Sequence, residues 1–255
     1  MSEGSKDFAN PRWLLALALP VLLIGGLAGW IWHAQRVQAD PASALSGESR
    51  AAIEKVVHDY ILNHPEVLPE AMANLQKREN AKQLTGIRGD VEKPFPGAIL
   101  GNPDGKVTLV EFTDFACGYC RQSVGDVEAL VRDNPDLRIV IREFPILSPQ
   151  SAEAARMALA AAEQGKYAAF HHAMFAAGRP GPETIAAAAR AAGLDMARAA
   201  AFAKGKAAEA EIARNFEFAR QLGIDGTPSW IAGDAILSGA VGKEKLTQVV
   251  EDARG

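Results

Sequence analysis

The chain of 255 residues has only two cysteines, Cys117 and Cys120, and no excess of basic side chains. Two cysteines are too few for a small domain stapled by several disulfides, and a self-contained four-cysteine zinc site is excluded. The formal net charge of −4 argues against nucleic acid as a partner. Because 48% of the residues are hydrophobic, the disordered and fibrous classes are excluded as well. Any chemistry at the cysteines must come from the pair itself.

Charge is also absent from one long run, residues 13–32, which reads WLLALALPVLLIGGLAGWIW. Its 20 residues suit a helix that crosses a bilayer, and tryptophans stand at both ends, as interfacial aromatics do. Lys6 and Arg12 precede the run, which favours a cytoplasmic tail over residues 1–12. We expect a single-pass signal anchor in the inner membrane, with the rest of the chain in the periplasm. The alternative is cleavage near Ala39, which would release a soluble periplasmic protein.

A helical segment follows the linker of residues 33–47. Apolar residues recur at three- and four-residue spacing over residues 48–83, and Pro65 interrupts the pattern, which predicts two short helices. Their apolar stripe must dock either on the body of the chain or on copies of itself. Residues 84–105 are rich in glycine and proline, which is typical of a connecting segment.

The remainder of the chain alternates strand and helix patterns. Val107–Phe112 is a β-branched and apolar strand, a helical pattern follows the cysteines, and Leu137–Phe144 is a second strand. A strand, helix and strand of these lengths predict a βαβ unit with parallel strands. The order then continues with an alanine-rich helical insertion over residues 148–222, a hairpin over residues 229–237 and a closing helix over residues 242–252.

The chemistry is predicted at Cys117 and Cys120, at a strand-to-helix junction. A cysteine at a helix amino terminus lies near unpaired N–H groups and the positive end of the dipole, so the thiolate is favoured there. We assign Cys117 as the nucleophile and Cys120 as the resolving thiol that attacks a mixed disulfide. Half a zinc site would need two more ligands, and a structural disulfide closing so small a loop would stabilise little. A Cu(I) carrier that uses both thiols is the competing function.

Two residues outside the pair are candidate site residues. Glu111 lies within the apolar strand, where burial would raise its pKa and let it relay a proton to Cys120; it is equally compatible with a solvated strand face. Pro228 opens a strand, and the sequence by itself favours a trans bond before it.

The residues between the cysteines, Gly118 and Tyr119, supply neither a positive charge nor a histidine that would lower a thiol pKa. The adjacent His171 and His172 are expected on a helix surface, and no metal site is predicted.

Two motifs carry a family resemblance: EFTDFACGYC at residues 111–120 and GIDGTPSW at residues 223–230. Together with the helical insertion they resemble the DsbA family of thioredoxin-fold thiol–disulfide oxidoreductases. The chain is most similar to the ScsC-like, suppressor-of-copper-sensitivity branch. The resemblance implies an α/β thioredoxin fold over residues 106–253 with an inserted helical domain, preceded by the membrane helix and a short oligomerisation segment. It also implies that residues 48–83 form a trimer.

The resemblance further implies the site. Thr227 and Pro228 would form a cis-proline loop that faces the cysteines and binds substrate together with Gly118 and Tyr119, and Glu111 would be the buried carboxylate. The implied activity is thiol–disulfide exchange with exported cysteine-containing proteins, without a cofactor beyond the cysteine pair, and with a membrane redox partner that recycles it. Because Tyr119 replaces the histidine of DsbA itself, a milder oxidant, an isomerase or a reductase is favoured.

Overall fold

The computed structural model describes residues 47–254, which divide between Glu70 and Ala71 into two units. Helix α1 spans Gly47–Asn63 and α2 spans Val67–Leu84, so the break predicted at Pro65 is confirmed. The predicted tail, membrane helix and nearly all of the linker lie outside the described residues. Within the described part of the chain, none of the helices combines the length and apolar character that crossing a bilayer requires.

A five-stranded mixed sheet forms the centre of the larger unit, with the strand order β1-β3-β2-β4-β5. The two central strands, β2 and β3, run parallel, with Val107 opposite Leu137 and Thr113 opposite Glu143. The helix α4 connects them, which confirms the predicted βαβ unit. The bounds are β1 Ile99–Gly101, β2 Val107–Thr113, α4 Gly118–Asp133, β3 Leu137–Glu143, β4 Ser229–Ala232 and β5 Ala235–Ser238.

Both faces of the central strands β2 and β3 are buried, because their side chains alternate between two faces and a hydrophobic core covers each face. In β2, Leu109 faces the core that contains both cysteines, whereas Val110 and Phe112 face a second core. This burial on both sides explains why β2 and β3 are nearly continuous apolar runs. Any polar side chain at an odd-numbered position of β2 is therefore directed toward the cysteine side of the sheet.

The predicted helical insertion is confirmed as five helices, followed by the closing helix. Buried alanines dominate the first of them, and Ser148 caps its amino terminus by accepting the N–H of Ser151. The bounds are α5 Pro149–Glu163, α6 Tyr167–Ala177, α7 Pro182–Ala191, α8 Met196–Ala203, α9 Lys206–Gln221 and α10 Gly242–Asp252.

The segment predicted as a connection, residues 84–105, contains more structure than expected. It holds a short helix, α3 (Arg88–Val91), and the edge strand β1, which pairs antiparallel with β3. The fully buried Arg142 of β3 fixes this segment, because its guanidinium donates to carbonyls of α3 and of the residues that follow. These contacts join residues about fifty positions apart, so no local pattern indicated them.

The prediction that His171 lies on a helix surface is wrong. His171 is 4% exposed and packs against the rings of Phe115, Tyr167 and Phe175, and burial lowers its pKa to about 4. The adjacent His172 is exposed, as expected, and its Nδ1 lies 2.9 Å from a carboxylate oxygen of Glu128. Position 171 follows Tyr167 by four residues and precedes Phe175 by four, so helical spacing alone could have placed it on the apolar face.

Candidate active site

Cys117 is the amino-terminal cap of α4. Its backbone is extended, and its Sγ accepts the N–H of Cys120 at 3.3 Å, as a capping oxygen does in other helices. Cys117 is 5% exposed, Cys120 is 1% exposed, and both are free thiols. The predicted position of the first sulfur at a helix amino terminus is therefore confirmed.

The loop before β4 lies against the first cysteine. The Sγ of Cys117 lies 3.2 Å from the carbonyl oxygen of Thr227, to which the thiol donates when it is protonated, and the Thr227–Pro228 peptide bond is cis. The antiparallel pairing of β4 with β2, with Phe112 opposite Ser229, brings this loop to the end of β2 from which the cysteine turn emerges. The trans bond that the sequence by itself favoured is wrong, and the cis loop implied by the family resemblance is present.

The pKa values of the two thiols are shifted in opposite directions. The pKa of Cys117 is lowered from 9.0 to about 5, mainly by the hydrogen bond with the Cys120 thiol. Burial opposes this shift, and a hydrogen bond with the Thr227 side chain adds to it. The pKa of Cys120 is raised far above its ordinary value, because burial, the bond to Cys117 and the charge of Glu111 all disfavour its thiolate. At neutral pH, Cys117 is therefore a thiolate and Cys120 a thiol.

Glu111 lies on the cysteine side of β2, opposite Trp230 of β4. It is 2% exposed, and its Oε2 has no hydrogen-bond partner among the described residues. Burial raises its pKa to about 8, and the Thr113 side chain partly offsets this shift. Of the two open interpretations, the solvated strand face is therefore wrong. A carboxyl group with this pKa exchanges a proton near neutral pH.

The residues between the cysteines face solvent. Gly118 and Tyr119 form the first turn of α4, and the Tyr119 side chain is 65% exposed. They lie at the surface, between the two buried cysteines in the chain. Across residues 47–254, no three His, Cys, Asp or Glu side chains come together in a group that could hold a metal ion.

Sequence reasoning missed three buried polar residues near this site. Asp114 is 1% exposed and accepts two backbone N–H groups, and Tyr167 donates to Glu143 at 2.6 Å. Burial raises the pKa of Glu143 well above its ordinary value, to which the charges of Asp114 and Glu111 add. Only Asp114 had a local signal, because it lies between Phe112 and Phe115 in the cysteine motif.

The family model for the DSBA-like thioredoxin domain matches residues 108–251, more than half of the chain. The chain belongs to the DSBA-like thioredoxin domain family. A second family model, the copper resistance protein ScsC N-terminal domain, matches residues 50–82, which α1 and α2 occupy. The sequence resemblance to the ScsC-like branch of the DsbA family is therefore confirmed, and so is the thioredoxin-like fold with added helices.

Solved structures agree with this family. A thioredoxin-like oxidoreductase from Silicibacter pomeroyi is 43% identical, covers 61% of this chain and 91% of its own, and superposes with a TM-score of 0.59. A linker-deletion mutant of Proteus mirabilis ScsC is 26% identical, covers 83% of this chain and 97% of its own, with a TM-score of 0.61.

The curated relatives that match this chain are much longer proteins. The Na(+)/H(+) antiporter NhaA 1 of Salinispora arenicola is 27% identical over 190 residues, which are 71% of this chain and 29% of the antiporter. The DsbA-like chain thus spans less than a third of the length of that relative.

Proposed function

We propose that this DsbA-like chain is a thiol–disulfide oxidoreductase that exchanges disulfides with exported cysteine-containing proteins through Cys117 and Cys120. The observation that carries the proposal is the geometry of the pair, because Cys117 caps the amino terminus of α4, accepts the N–H of the buried Cys120 and lies against the cis Thr227–Pro228 loop. This environment lowers the pKa of Cys117 and raises that of Cys120, so one sulfur is a thiolate and the other a thiol at neutral pH. Exchange begins with a thiolate and ends with a second thiol that resolves the mixed disulfide, so the pair holds the two states that the reaction needs.

In the reducing direction, the Cys117 thiolate attacks one sulfur of a substrate disulfide. A Cys117–substrate disulfide forms, and the other substrate sulfur leaves as a thiolate. Cys120 then loses its proton and attacks the Cys117 sulfur. The Cys117–Cys120 disulfide forms, the second substrate thiolate leaves, and two electrons have passed from the pair to the substrate. Oxidation of a substrate dithiol is the same sequence in reverse.

Glu111 is proposed to accept the proton of Cys120 in the second step. Glu111 is buried on the cysteine side of the sheet, and its pKa of about 8 leaves about a tenth of these groups ionised at pH 7 and able to accept a proton. When Glu111 is ionised, its negative charge adds to the effects of burial and of the bond to Cys117 that raise the pKa of Cys120.

Thr227 and Pro228 are proposed to bind the substrate backbone, with Gly118 and Tyr119 forming the neighbouring surface. The exposure of Tyr119 and the contact of Thr227 with the Cys117 thiol support this assignment. We propose no cofactor beyond the cysteine pair. A membrane redox partner would return the pair to its working state, and Tyr119 in place of histidine favours isomerase or reductase activity.

The assignment of roles is tested with Cys117→Ser and Cys120→Ser in the reduction of insulin and the refolding of a scrambled disulfide protein. Cys117→Ser should abolish both activities, whereas Cys120→Ser should accumulate mixed disulfides that non-reducing electrophoresis detects. Full activity of Cys117→Ser would refute the roles. Absence of both activities in the unaltered chain, with tight Cu(I) binding, would support the copper carrier instead.

Residues 48–83 are proposed to associate the chain into a trimer. Large hydrophobic side chains on α1 are exposed at helical spacing, which favours a helix-to-helix interface. They are Ile53, Val56, Val57 and Tyr60, followed by Leu68, Met72 and Leu75 on α2. The match of residues 50–82 to the ScsC N-terminal domain points the same way.

Sedimentation velocity tests the trimer on the chain with and without residues 48–83. Val56→Asp, within the exposed apolar stripe, should lower the mass to that of a monomer, whereas Ala51→Asp, on the opposite face of α1, should not. A monomer in the unaltered chain would refute the trimer.

The membrane anchor at residues 13–32 and the periplasmic location stay predictions from the sequence. Carbonate extraction of cell membranes would retain an anchored chain and release one that has been cleaved near Ala39.

A further inference from the structure

All three oxygens of Asp114, two in its side chain and one in its backbone, accept hydrogen bonds near the cysteine turn. Its Oδ1 accepts the N–H of Ala116 at 2.8 Å, and its carbonyl oxygen accepts the N–H of Cys117 at 2.9 Å. Its Oδ2 accepts the N–H of Leu147 at 2.9 Å. One buried carboxylate therefore ties the turn that carries Cys117 to the loop between β3 and α5, 33 residues along the chain.

The loop that Asp114 holds presents apolar side chains to solvent. Outside α1 and α2, the described residues include four exposed large hydrophobic side chains, at Tyr119, Ile146, Leu147 and Phe216. Ile146 and Leu147 lie in the β3–α5 loop, and Tyr119 stands between the cysteines. Three of the four thus lie on the two segments that Asp114 joins. Exposed apolar groups clustered beside a reactive centre favour contact with a partner chain.

We propose that Asp114 is a positioning residue that holds Ile146 and Leu147 beside the Cys117 turn, where they contact apolar side chains next to a substrate cysteine. The inference rests on the proposed function and adds a substrate class to it, polypeptides with apolar residues flanking the disulfide. Glutathione requires only the cysteine turn, whereas such a polypeptide requires both the turn and the loop.

Asp114→Asn separates the two requirements. An amide has one acceptor oxygen, so its NH₂ group must face one of the two backbone N–H donors that the carboxylate now accepts. The tie to Leu147 is the one that can give way, because Ala116 is only two residues from Asp114. A bond to a charged acceptor is then lost, and the loop is no longer fixed against the turn.

The test compares two exchange rates in the full chain. One substrate is a synthetic peptide with an internal disulfide flanked by Leu and Phe, and the other is oxidised glutathione. Asp114→Asn should lower the ratio of the peptide rate to the glutathione rate about tenfold, the effect expected for one lost bond to a charged group. Asp126→Asn, on α4, is the matched control, because the Asp126 side chain makes no hydrogen bond or ion pair within residues 47–254. Its ratio should match that of the unaltered chain.

Leu147→Ser gives a second measurement that leaves Asp114 intact and changes a half-exposed surface residue. It should lower the same ratio of peptide rate to glutathione rate. The double variant with Asp114→Asn should lower this ratio by less than the product of the two single-variant effects, because both changes act through one loop. A peptide with Ser in place of Leu and Phe should respond to neither variant.

Three results would overturn the inference: an unchanged ratio in Leu147→Ser, equal losses of both rates in Asp114→Asn, or full additivity in the double variant. If Asp114→Asn does not fold, Leu147→Ser alone decides. Absence of glutathione exchange in the unaltered chain would refute the proposed function rather than this inference.

Discussion

The amount of Cys117 thiolate at neutral pH should depend on the hydrogen bond from the Cys120 thiol, because that bond is the largest cause of the lowered pKa of Cys117. Cys120→Ala removes the side-chain donor and leaves the backbone N–H that Cys117 also accepts. Cys120→Ser keeps a donor at the same position and is therefore the matched control. Both variants lack the resolving thiol, so the titration of Cys117 can be followed without disulfide formation.

The magnitude of the pKa shift of Cys117 shows which property of the thiol it changes most. With a pKa of about 5 instead of 9.0, the thiolate fraction at neutral pH rises from about 1% to about 99%. Intrinsic nucleophilicity falls over the same four units by about 40- to 100-fold, because the Brønsted coefficient is about 0.4–0.5. The two effects nearly cancel in the attack step. The low pKa therefore acts mainly by stabilising the reduced pair and making Cys117 a good leaving group.

The pH dependence follows from the direction of this shift. The folded pKa of Cys117 lies below that of an ordinary thiol, so the stabilisation is complete above pH 9 and is lost as the pH falls toward 5. At neutral pH it is about 3 kcal/mol, which raises the reduction potential of the Cys117–Cys120 disulfide by about 60 mV over a pair of ordinary thiols.

The assay is the ultraviolet absorbance of the thiolate, with the rate of alkylation by iodoacetamide as a second measure. Cys120→Ala should raise the pKa of Cys117 by about one to two units, the value of one hydrogen bond to a charged group. Cys120→Ser should retain most of the shift. Titration of Cys117 near pH 9 in the unaltered chain, or identical pKa values in the two variants, would refute the reasoning.

Further predictions concern buried groups. Glu111→Gln should slow the attack of Cys120 on the mixed disulfide about 100-fold, as loss of a general base does. It should also stabilise the fold at neutral pH by up to about 3 kcal/mol, because the raised pKa of the Glu111 carboxyl group lowers the stability of the folded chain above pH 4.5. Glu211→Gln should cost about 3–5 kcal/mol, because it leaves its arginine partner charged and buried. In the unaltered chain, the lowered pKa of His171 should cost up to about 3 kcal/mol of folding stability as the pH falls from 6.5 to about 4, and His171→Leu should remove this loss.

Chemical denaturation at several pH values measures the three stability effects, and stopped-flow fluorescence measures resolution. Glu217→Gln, on the same helix as Glu211, is the control for the ion pair, because its partner Arg220 is exposed and the change should be small. His172→Leu is the control for His171. A pH-independent stability difference in Glu111→Gln or His171→Leu would contradict the assigned pKa values, and a small loss in Glu211→Gln would contradict the buried ion pair.

Local periodicity was sufficient for most of the secondary structure. The apolar runs that became β2 and β3 end within one residue of their predicted bounds, and the closing helix was predicted at its observed residues. The strand β1 was missed, because three residues carry too little pattern and its pairing with β3 depends on chain some forty residues away.

The sequence by itself determined the chemistry of the pair. The spacing of Cys117 and Cys120 at a strand-to-helix junction places one sulfur at a helix amino terminus and the other within reach of it, and helix geometry requires no further information for that. The β-branched and apolar run of residues 107–112 likewise predicted a strand that leads into the cysteine turn.

Only the tertiary structure decided what surrounds the sulfurs. It buried Glu111, whereas the local pattern was equally compatible with a solvated strand face. It also placed the Thr227 carbonyl beside Cys117 and joined Asp114 to a loop 33 residues away. Each of these depends on segments far apart in the chain packing against one another. Periodicity records which face of a segment is apolar, but the charge and proton affinity of a buried group depend on neighbours that only the assembled core brings into contact.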